Sequence, residues 1–527
     1  MTKATMTLNY DHYLSLTDMF DKSIARFGDT PMVTMMGCTL SYAEVDRHSL
    51  NLASYFQQTL NLQPKDRIAI QLPNILQYPI AVFAAWRAGL IIVNVNPLYT
   101  ARELLHQMND AGVKAIITLT SILPTIDEIQ EKTTISTIIA TNPTDLKNVG
   151  GESTAMPENV IGFLSALSQG KESGLTPIKL AQSDTALLQY TGGTTGLSKG
   201  AVLSHGNILA NLEQINSGLG KGFGVETEVY IVPLPLYHIF AFTLTFALLA
   251  EGGHLAVLIP DPRNLDAFVE EMSLWPFTAL AGLNTLFVAL CHHDKFKTLD
   301  FSHLNITASG GMALNTDTAN LWKSVTGVMI SEGYGLTETS PTVTMNRPGE
   351  QQIGTIGTTL ADTYIKLVDL DNNEVVLGEP GELTVKGPQV MQAYWNNDKE
   401  TDKAFTNPGW FKTGDIAIEQ DDGYFRIVDR LKDMVIVSGF NVYPNEIEDV
   451  VMSHPDVFEC AVIGVDDVKS GQAVKLFIVS KKEDINLDDL KVYCRKRLTG
   501  FKVPKHIVTI GELPKSNVGK ILRRELR

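Results

Sequence analysis

Cysteine is scarce in this 527-residue chain, and its spacing is wrong for a metal site or a disulfide framework. No CxxC pair occurs, and the adjacent His292 and His293 point in different directions on any regular element. We interpret the thiols as core or incidental groups in a reducing compartment and do not predict a zinc site. The cysteines are Cys38, Cys291, Cys460 and Cys494.

Basic charge is also in deficit, with 43 Lys and Arg against 59 Asp and Glu and a net charge of -16. Nucleic-acid binding needs basic patches, so this balance argues against that class of partner and against adsorption on an anionic membrane. The N-terminus lacks the apolar core of a signal peptide. The longest apolar run, residues 236–250, is shorter than the roughly 20 residues of a membrane-spanning helix. We therefore expect a cytoplasmic protein.

The remaining composition is that of a globular chain, with 44% hydrophobic and 19% charged residues. Its length exceeds a single core, so two or three domains are expected. In the first third, strand and helix patterns alternate, and Thr100 with Glu103 forms a possible capping box. This alternation predicts parallel sheets covered by helices. The predicted strands are 67–72, 91–95 and 115–118, and the predicted helix is 79–89.

Three later segments differ in pattern. Residues 142–173 are polar and rich in Gly and Ser, which predicts a surface connection. Short strands and turns over residues 353–417 predict a β-rich subdomain. Beyond residue 430, helix and strand patterns with their own apolar spacing predict a small α+β domain. We expect domains at 1–430 and 431–527.

The most informative stretch is residues 190–200, YTGGTTGLSKG, which follows an apolar run. Glycines that admit a close ligand, hydroxyl groups and a lysine suit a phosphate cradle. A Walker loop is excluded because no Gly-Lys-Ser/Thr run occurs here. A hydrolase elbow around Ser198 would need a helix next, whereas residues 201–203 are typical of a strand. A flexible surface loop is the remaining alternative.

This stretch resembles the phosphate loop of the adenylate-forming superfamily, which contains acyl-CoA synthetases, luciferases and peptide-synthetase adenylation domains. The resemblance extends to four more stretches in the expected order, and together they cover nearly the whole chain. It implies an ATP phosphate site made by the loop. The residues it assigns there are Thr191, Gly192, Gly193, Thr194, Thr195, Gly196 and Lys199.

The next two stretches are PLPLYHIF at residues 233–240 and EGYGLTETSP at residues 332–341. The resemblance implies that His238 positions the carboxylate of the acyl substrate and that Glu338 ligates Mg²⁺. A lone His in an apolar run is otherwise more often a core residue, and EGYGLTETSP alone would fit a capped turn. Further implied nucleotide contacts are Thr337, Gly311, Tyr334 and Gly335. The implied walls of the acyl tunnel are Phe240, Phe242 and Leu283.

The last two stretches are Thr413-Gly414-Asp415 and the C-terminal segments 431–444 and 514–520. Here the resemblance implies that Asp415 and Arg430 bind the ribose and that Lys432 is a hinge. It also implies that Gly439 lets the pantetheine of coenzyme A pass and that Lys520 is the catalytic lysine. Taken without the resemblance, a lone lysine favours a solvated end, and the basic tail could be such an end. That tail contains Lys515, Arg523, Arg524 and Arg527.

The implied fold is α/β, with a large N-terminal domain of two α/β sheet layers and a β-rich subdomain, and a small mobile α+β C-terminal lid. The implied reaction joins a fatty acid to coenzyme A through an acyl-AMP, with Mg²⁺ and ATP. Segments such as VNVNPLYT at residues 93–100 are most similar to bacterial long-chain fatty acid:CoA ligases. The short stretch 151–177 replaces a longer basic segment of some long-chain enzymes. This difference weakens the case for membrane docking and leaves medium-chain acids open. Coumarate-type acids also stay open, because only the acyl pocket separates those ligases, and so do a homodimer and peripheral contact with the inner membrane face.

Overall fold

The computed structural model describes residues 8–147, 156–191, 198–220, 228–406, 409–482, 485–515 and 521–527. It confirms a mixed α/β architecture with a larger N-terminal and a smaller C-terminal domain. The capping box ahead of the helix Ala101–Ala111 is present, because Thr100 accepts from the Glu103 N–H and the Glu103 carboxylate accepts from the Thr100 N–H. Local sequence signals therefore place this helix correctly.

Over the described residues, the first sheet has nine strands, and we call it the large sheet. Its central strands run parallel, and antiparallel strands close both edges. In order across the sheet, the strands are Thr358–Thr359, Thr342–Met345, Ile330–Gly335, Ile306–Ser309, Ala279–Gly282, Val229–Val232, Leu255–Leu258, Pro31–Met35 and Cys38–Ser41.

A second sheet, with eight strands among the described residues, is parallel except at the edge that carries the phosphate hairpin. The predicted strands near residues 67, 91 and 115 all belong to it. In order, its strands are Ala393–Tyr394, Lys199–Ser204, Thr185–Thr191, Ile91–Asn94, Arg67–Gln71, Val113–Leu119, Thr137–Thr141 and Val160–Gly162.

The largest apolar core combines side chains of both sheets with helices that lie between them. Trp86 and Phe246 are fully buried there, and their rings pack edge to face at 5.9 Å. The helices of the N-terminal part are Leu16–Phe27, Tyr42–Gln58, Gln77–Arg87, Ala101–Ala111, Leu123–Gln130, Phe163–Ser173, His205–Leu219, Ile239–Glu251, Leu265–Met272, Asn284–His292, Thr316–Thr326 and Asp398–Ala404.

The β-rich segment forms an antiparallel sheet of Tyr364–Val368, Gly381–Lys386, Phe411–Glu419 and Phe425–Arg430. Its last strand lies beyond residue 417, where the sequence pattern had suggested an end. The C-terminal sheet combines Val435–Val437, Phe440–Val442, Val457–Asp467, Gly471–Ser480 and His506–Thr509 with the helices Pro444–Met452 and Leu487–Arg495. The predicted boundary at residue 430 falls between the two sheets.

The prediction of a surface connection over residues 142–173 was wrong in its second half, where the helix Phe163–Ser173 forms. Phe163, Ala166 and Leu167 are buried along one face. Gly170, which favoured a loop in the sequence, instead allows close packing against the helix Tyr42–Gln58. A Cβ at Gly170 would lie 1.8 Å from the Asn51 carbonyl oxygen. Glycine is therefore required here by helix packing rather than by a turn.

Candidate active site

A continuous cavity of about 1390 Å³ lies between the two sheets, the β-rich sheet and the C-terminal segments. Its polar end carries hydroxyl, carboxylate and basic side chains. Its other end runs over the large sheet beneath the helices His205–Leu219 and Ile239–Glu251. The described polar residues include Thr191, Lys199, Tyr334, Thr337, Glu338, Asp415, Arg430 and Lys432. The described apolar residues include Ile215, Leu219, Leu244, Ala247, Leu248, Ala279, Leu280, Ile306, Ala308 and Met345.

The phosphate loop is carried by an antiparallel hairpin whose strands pair Thr191 with Lys199. Both residues line the cavity. The predicted contacts Gly192, Gly193, Thr194, Thr195 and Gly196 lie outside the described residues. A strand, Lys199–Ser204, follows Ser198, so the prediction of a strand was correct and the hydrolase elbow is excluded.

The base of this hairpin is held by the helix Ala101–Ala111. The Tyr190 hydroxyl donates to Asp110 Oδ2 at 2.5 Å, and the His106 ring bonds to the Ser198 carbonyl oxygen at 2.9 Å. Burial and the Asp110 carboxylate raise the pKa of Tyr190 well above its usual value. A Cβ at Gly200 would lie 3.1 Å from the Tyr190 ring, so small residues allow the hairpin to close.

Lys199 is fixed by two groups from the segment around Asp398–Ala404. Its Nζ lies 3.0 Å from Glu400 Oε2 and 4.4 Å from the centroid of the Tyr394 ring. Hydrogen bonds from Lys403 and Lys199 lower the pKa of the Glu400 carboxyl to about 2, so it is ionised at neutral pH. Neither Tyr394 nor Glu400 was identified from the sequence, because both lie in a segment without a recognisable motif.

Glu338 lies in the short turn Thr337–Thr339 and is buried, with 8% of its surface exposed. Its Oε1 accepts a hydrogen bond of 2.7 Å from the Tyr394 hydroxyl, and Thr337 lines the cavity beside it. Over the described part of the chain, no group of three or more His, Cys, Asp or Glu side chains is placed to hold a metal ion. A single carboxylate at a phosphate site fits Mg²⁺, which is commonly held by one or two carboxylates together with substrate phosphates and water.

The predicted ribose pair is brought together by the β-rich sheet. Asp415 and Arg430 are register partners on neighbouring strands, and Arg430 Nε lies 3.4 Å from Asp415 Oδ1. The Tyr334 hydroxyl donates to Asp415 Oδ2 at 2.7 Å. Burial and the Asp415 charge raise the pKa of Tyr334 well above its usual value. Gly311 and Gly335 line the cavity on the same side.

His238 begins the helix Ile239–Glu251, where its ring accepts from the Phe240 N–H at 3.4 Å. Both residues line the cavity at the junction of its polar and apolar ends. The Phe240 ring packs over Gly310, since a Cβ there would lie 3.1 Å from Phe240 Cζ. An imidazole and a phenyl ring therefore lie where the polar and apolar ends of the cavity meet.

Two predicted tunnel residues do not line the cavity in this structure. Phe242 is fully buried in the core, with its ring 4.5 Å from Phe246 and edge-on to Trp86 at 6.0 Å. Leu283 lies just before the helix Asn284–His292 and packs against the core. The helix Ile239–Glu251 is apolar on all sides, so the sequence could not show which face meets the cavity.

The C-terminal segments reach the cavity through its polar end. Lys515 and Ile521 form an antiparallel bridge, and both line the cavity. Lys520 lies outside the described residues. Burial and repulsion by Arg430 lower the pKa of Lys432, which also lines the cavity, to about 8.

Gly439 is not among the described residues that line the cavity. It lies in the turn between Val435–Val437 and Phe440–Val442, with a φ of +84°. The adjacent Phe440 stacks on Phe501 at 4.6 Å. The predicted hinge residue Lys432 therefore lines the cavity, whereas the predicted thioester residue Gly439 does not.

Glu332 is a buried carboxylate whose ionisation should weaken the fold. Burial raises its pKa to about 7, and a 3.0 Å hydrogen bond from the Leu314 N–H only partly opposes this. Because the folded state then holds the proton more tightly than the unfolded state, stability falls as the pH rises from about 4.5 to 7. Glu332→Gln keeps the acceptor for Leu314 and should add about 1–3 kcal/mol of stability at pH 8.

Thermal unfolding from pH 5 to pH 8 checks this expectation. The stabilisation by Glu332→Gln should shrink as the pH is lowered, whereas the exposed Glu350→Gln should show no such trend. A stabilisation of Glu332→Gln that is the same at every pH would contradict a buried titrating carboxylate.

No helix in the described ranges is long and apolar enough to span a membrane. The chain matches the model for "AMP-binding enzyme" over residues 20–395 and that for "AMP-binding enzyme C-terminal domain" over residues 446–520. Two matched relatives are named long-chain-fatty-acid–CoA ligase. The one from Escherichia coli O6:H1 is 47% identical and the one from Haemophilus influenzae 42% identical, and each alignment covers 99% of this chain and 95% of the relative.

A solved structure of the anthranilate CoA ligase AuaEII in complex with anthranoyl-AMP superposes with a TM-score of 0.87. The superposition covers 99% of this chain and 98% of that chain at 24% identity, so it supports the fold alone. The chain belongs to the family of AMP-binding enzymes.

Proposed function

We propose that this protein ligates a fatty acid to coenzyme A through an acyl-AMP intermediate and releases AMP and pyrophosphate. The observation that carries the proposal is the continuity of the cavity, which joins a polar nucleotide-type end to an apolar end. None of the described residues that we assign to the apolar end is charged. The names of the two full-length relatives support a long-chain fatty acid as the substrate.

The chemical problem is that a carboxylate is a poor acyl donor. In the first step, a carboxylate oxygen attacks the α-phosphorus of ATP, a new P–O bond forms, and the bond to the leaving pyrophosphate breaks. Lys199 and the hairpin hold the polyphosphate, while Thr337 donates to the α-phosphate. Asp415, oriented by Tyr334 and Arg430, accepts from the ribose hydroxyls as a charge-assisted contact. His238 orients the carboxylate, so that the reactants are aligned before reaction.

Negative charge at the α-phosphate must also be neutralised, and we assign this role to Lys520. Mg²⁺ bound at Glu338 would neutralise phosphate charge when present. In the second step, the thiol of coenzyme A attacks the acyl carbon and AMP leaves. The two steps need different protein groups at one site. We propose that a rotation of the C-terminal domain about Lys432 exchanges these groups and brings Gly439 to the site.

The proposal is tested by pyrophosphate release and acyl-CoA formation with Mg-ATP and coenzyme A, over acids from octanoate to oleate and with 4-coumarate. We expect the highest kcat/KM with long acids such as palmitate and oleate. A maximum at octanoate or 4-coumarate would keep the mechanism and replace the substrate by a medium-chain or aryl acid. No pyrophosphate release with any of these acids would contradict the proposed function.

The bond from Tyr394 to Glu338 should tune the affinity for Mg²⁺. Partners that orient a ligating carboxylate typically contribute about 10-fold to 100-fold to metal affinity. We expect Tyr394→Phe to raise the Mg²⁺ concentration needed for half-maximal pyrophosphate release by about 10-fold. The matched control is Tyr424→Phe, whose hydroxyl donates to the Glu350 carbonyl oxygen at 2.7 Å outside the cavity. An unchanged Mg²⁺ requirement in Tyr394→Phe would contradict the role of Glu338.

A further inference from the structure

Arg523, in the short turn Arg523–Glu525, has a fully engaged guanidinium group rather than a solvated one. Its Nη2 lies 2.7 Å from Glu448 Oε2, and its Nε lies 3.3 Å from Glu448 Oε1, which is a two-point ion pair. Nη2 also donates to Asn445 Oδ1 at 2.9 Å. Only 18% of the Arg523 side chain and 14% of the Glu448 side chain are exposed. The sequence alternative of a solvated basic tail is therefore wrong for Arg523.

The same guanidinium reaches the predicted hinge. Arg523 Nη1 lies 3.6 Å from Asp433 Oδ2, and Asp433 directly follows Lys432. Arg527 Nη2 contacts the second oxygen of Asp433 at 2.9 Å and the Lys432 carbonyl oxygen at 3.4 Å. Two arginines of the tail thus converge on one hinge carboxylate.

Asn445 extends this cluster to the N-terminal domain. Its backbone N–H donates to Asp429 Oδ2 at 2.7 Å, and its side-chain amide donates to the Val428 carbonyl oxygen at 3.1 Å. Both acceptors belong to the strand Phe425–Arg430, which also carries the ribose-site arginine. Tail, hinge, the helix Pro444–Met452 and this strand therefore meet around Arg523.

The tail that Arg523 anchors also forms part of the cavity wall. Ile521, Leu522 and Arg523 all line the cavity, and the Leu522 N–H donates to the Pro514 carbonyl oxygen at 2.8 Å. A buried ion pair loses much of its value when one partner is removed, because the other charge stays buried and unpaired. A change at Arg523 should therefore loosen the tail at the hinge, although it leaves the contact of Arg527 with Asp433 in place.

We propose that Arg523 is a positioning residue for the adenylation step, which holds the tail against the hinge and the nucleotide-site strand. This inference rests on the proposed function, because the step it serves is acyl-AMP formation. In the proposed function, thioester formation follows a rotation of the C-terminal domain, which would break the bonds between Asn445 and the strand Phe425–Arg430. Loss of Arg523 therefore impairs one half-reaction selectively, which a merely stabilising contact does not do.

The test compares Arg523→Met and Arg523→Lys with Lys482→Met in the full-length protein. Lys482 forms an exposed ion pair with Asp456 in the same domain and serves as the matched control. Arg523→Met should lower ATP–pyrophosphate exchange by about 10-fold to 100-fold, because small misplacements are costly in catalysis. Thioester formation from supplied acyl-AMP should change by less than about threefold. Arg523→Lys keeps the charge but not the two-point geometry, so it should give an intermediate loss.

Hydrogen–deuterium exchange gives a readout that does not depend on activity. The backbone amides of residues 521–527 and of the hinge should exchange faster in Arg523→Met than in the wild-type protein. Their exchange rates should be unchanged in Lys482→Met. If the wild-type protein shows no ATP–pyrophosphate exchange with any acid, the proposed function fails. The hydrogen–deuterium exchange rates would still show whether Arg523 anchors the tail. Equal loss of both half-reactions in Arg523→Met would overturn the inference. Unchanged hydrogen–deuterium exchange of the tail and hinge amides in this variant would also overturn it.

A second variant covers the case in which Arg523→Met does not fold. Asp433→Asn weakens the hinge contacts of both Arg523 and Arg527 and leaves the two-point pair of Arg523 with Glu448 in place. It should show the same selective loss of adenylation at a smaller size. A loss confined to thioester formation in Asp433→Asn would also overturn the inference.

Discussion

Replacing Lys520 by alanine should lower acyl-AMP formation by about 10²-fold to 10³-fold, the size expected for loss of one preorganised transition-state contact. Thioester formation from supplied acyl-AMP should change by less than about threefold, because the α-phosphate charge has by then been accommodated in the adenylate. Lys515 and Ile521, which flank residues 516–520, both line the cavity.

The two half-reactions are measured separately, by ATP–pyrophosphate exchange and by acyl-CoA formation from synthetic acyl-AMP. Lys505→Ala is the control, because Lys505 forms an ion pair with Asp467 in the C-terminal domain. A loss of equal size in both half-reactions would contradict the assignment of Lys520 to the first step.

Replacing Gly439 by leucine should produce the opposite pattern. We expect acyl-CoA formation from supplied acyl-AMP to fall by about 10²-fold, because the side chain would block the path of the thiol and displace the reacting groups. In the present arrangement no atom of the described residues lies within 4 Å of a Cβ at Gly439, so the substitution causes no clash at this atom and adenylation should persist. The positive φ adds a backbone cost of roughly 1–2 kcal/mol.

That backbone cost needs its own control. Gly471 has a φ of +75° and lies on the strand paired with Val437, so Gly471→Leu carries a similar strain in the same sheet. It should leave both half-reactions largely intact. If Gly439→Leu and Lys520→Ala fail in the same half-reaction, the rotation of the C-terminal domain is contradicted.

Much of the polar site could be predicted from the sequence, because it is built from short contiguous motifs. The phosphate strands flank residues 192–197 directly. Asp415 and Arg430 come from neighbouring strands of one antiparallel hairpin, although their exact pairing depends on a register shift between Ile416 and Ala417 that the sequence does not indicate. Tyr334 joins them through one hydrogen bond. Short motifs of this kind can be recognised in the sequence because residues that are neighbours in the chain are also neighbours in the fold.

The acyl side was harder to predict, because its walls come from packing between distant elements. Residues such as Tyr230 and Leu248 meet at the cavity only after helices cover the large sheet. The helix Ile239–Glu251 offers apolar residues on every face, so the choice of Phe242 over Leu244 had no local signal. The same holds for Gly170, whose role is visible only against the helix Tyr42–Gln58.

Charged partners were missed for a different reason. Glu400 and Tyr394 act on Lys199 and Glu338 from about 60 to 200 positions away in the chain, so no spacing indicates them. The engagement of Arg523 by Glu448 is equally remote in sequence. The basic residues of the tail suggest a solvated end. Burial by the hinge and the helix Pro444–Met452 overturns this for Arg523, whereas Arg524 and Arg527 are exposed.

The most direct test of the acyl-AMP route follows oxygen from the fatty acid into the products. A fatty acid labelled with ¹⁸O in both carboxylate positions is incubated with Mg-ATP and coenzyme A, and the products are analysed by mass spectrometry. Attack on the α-phosphorus followed by cleavage of the acyl C–O bond predicts one ¹⁸O atom in AMP, one in the thioester carbonyl, and unlabelled pyrophosphate. Label in orthophosphate together with ADP, or unlabelled AMP, would contradict the account.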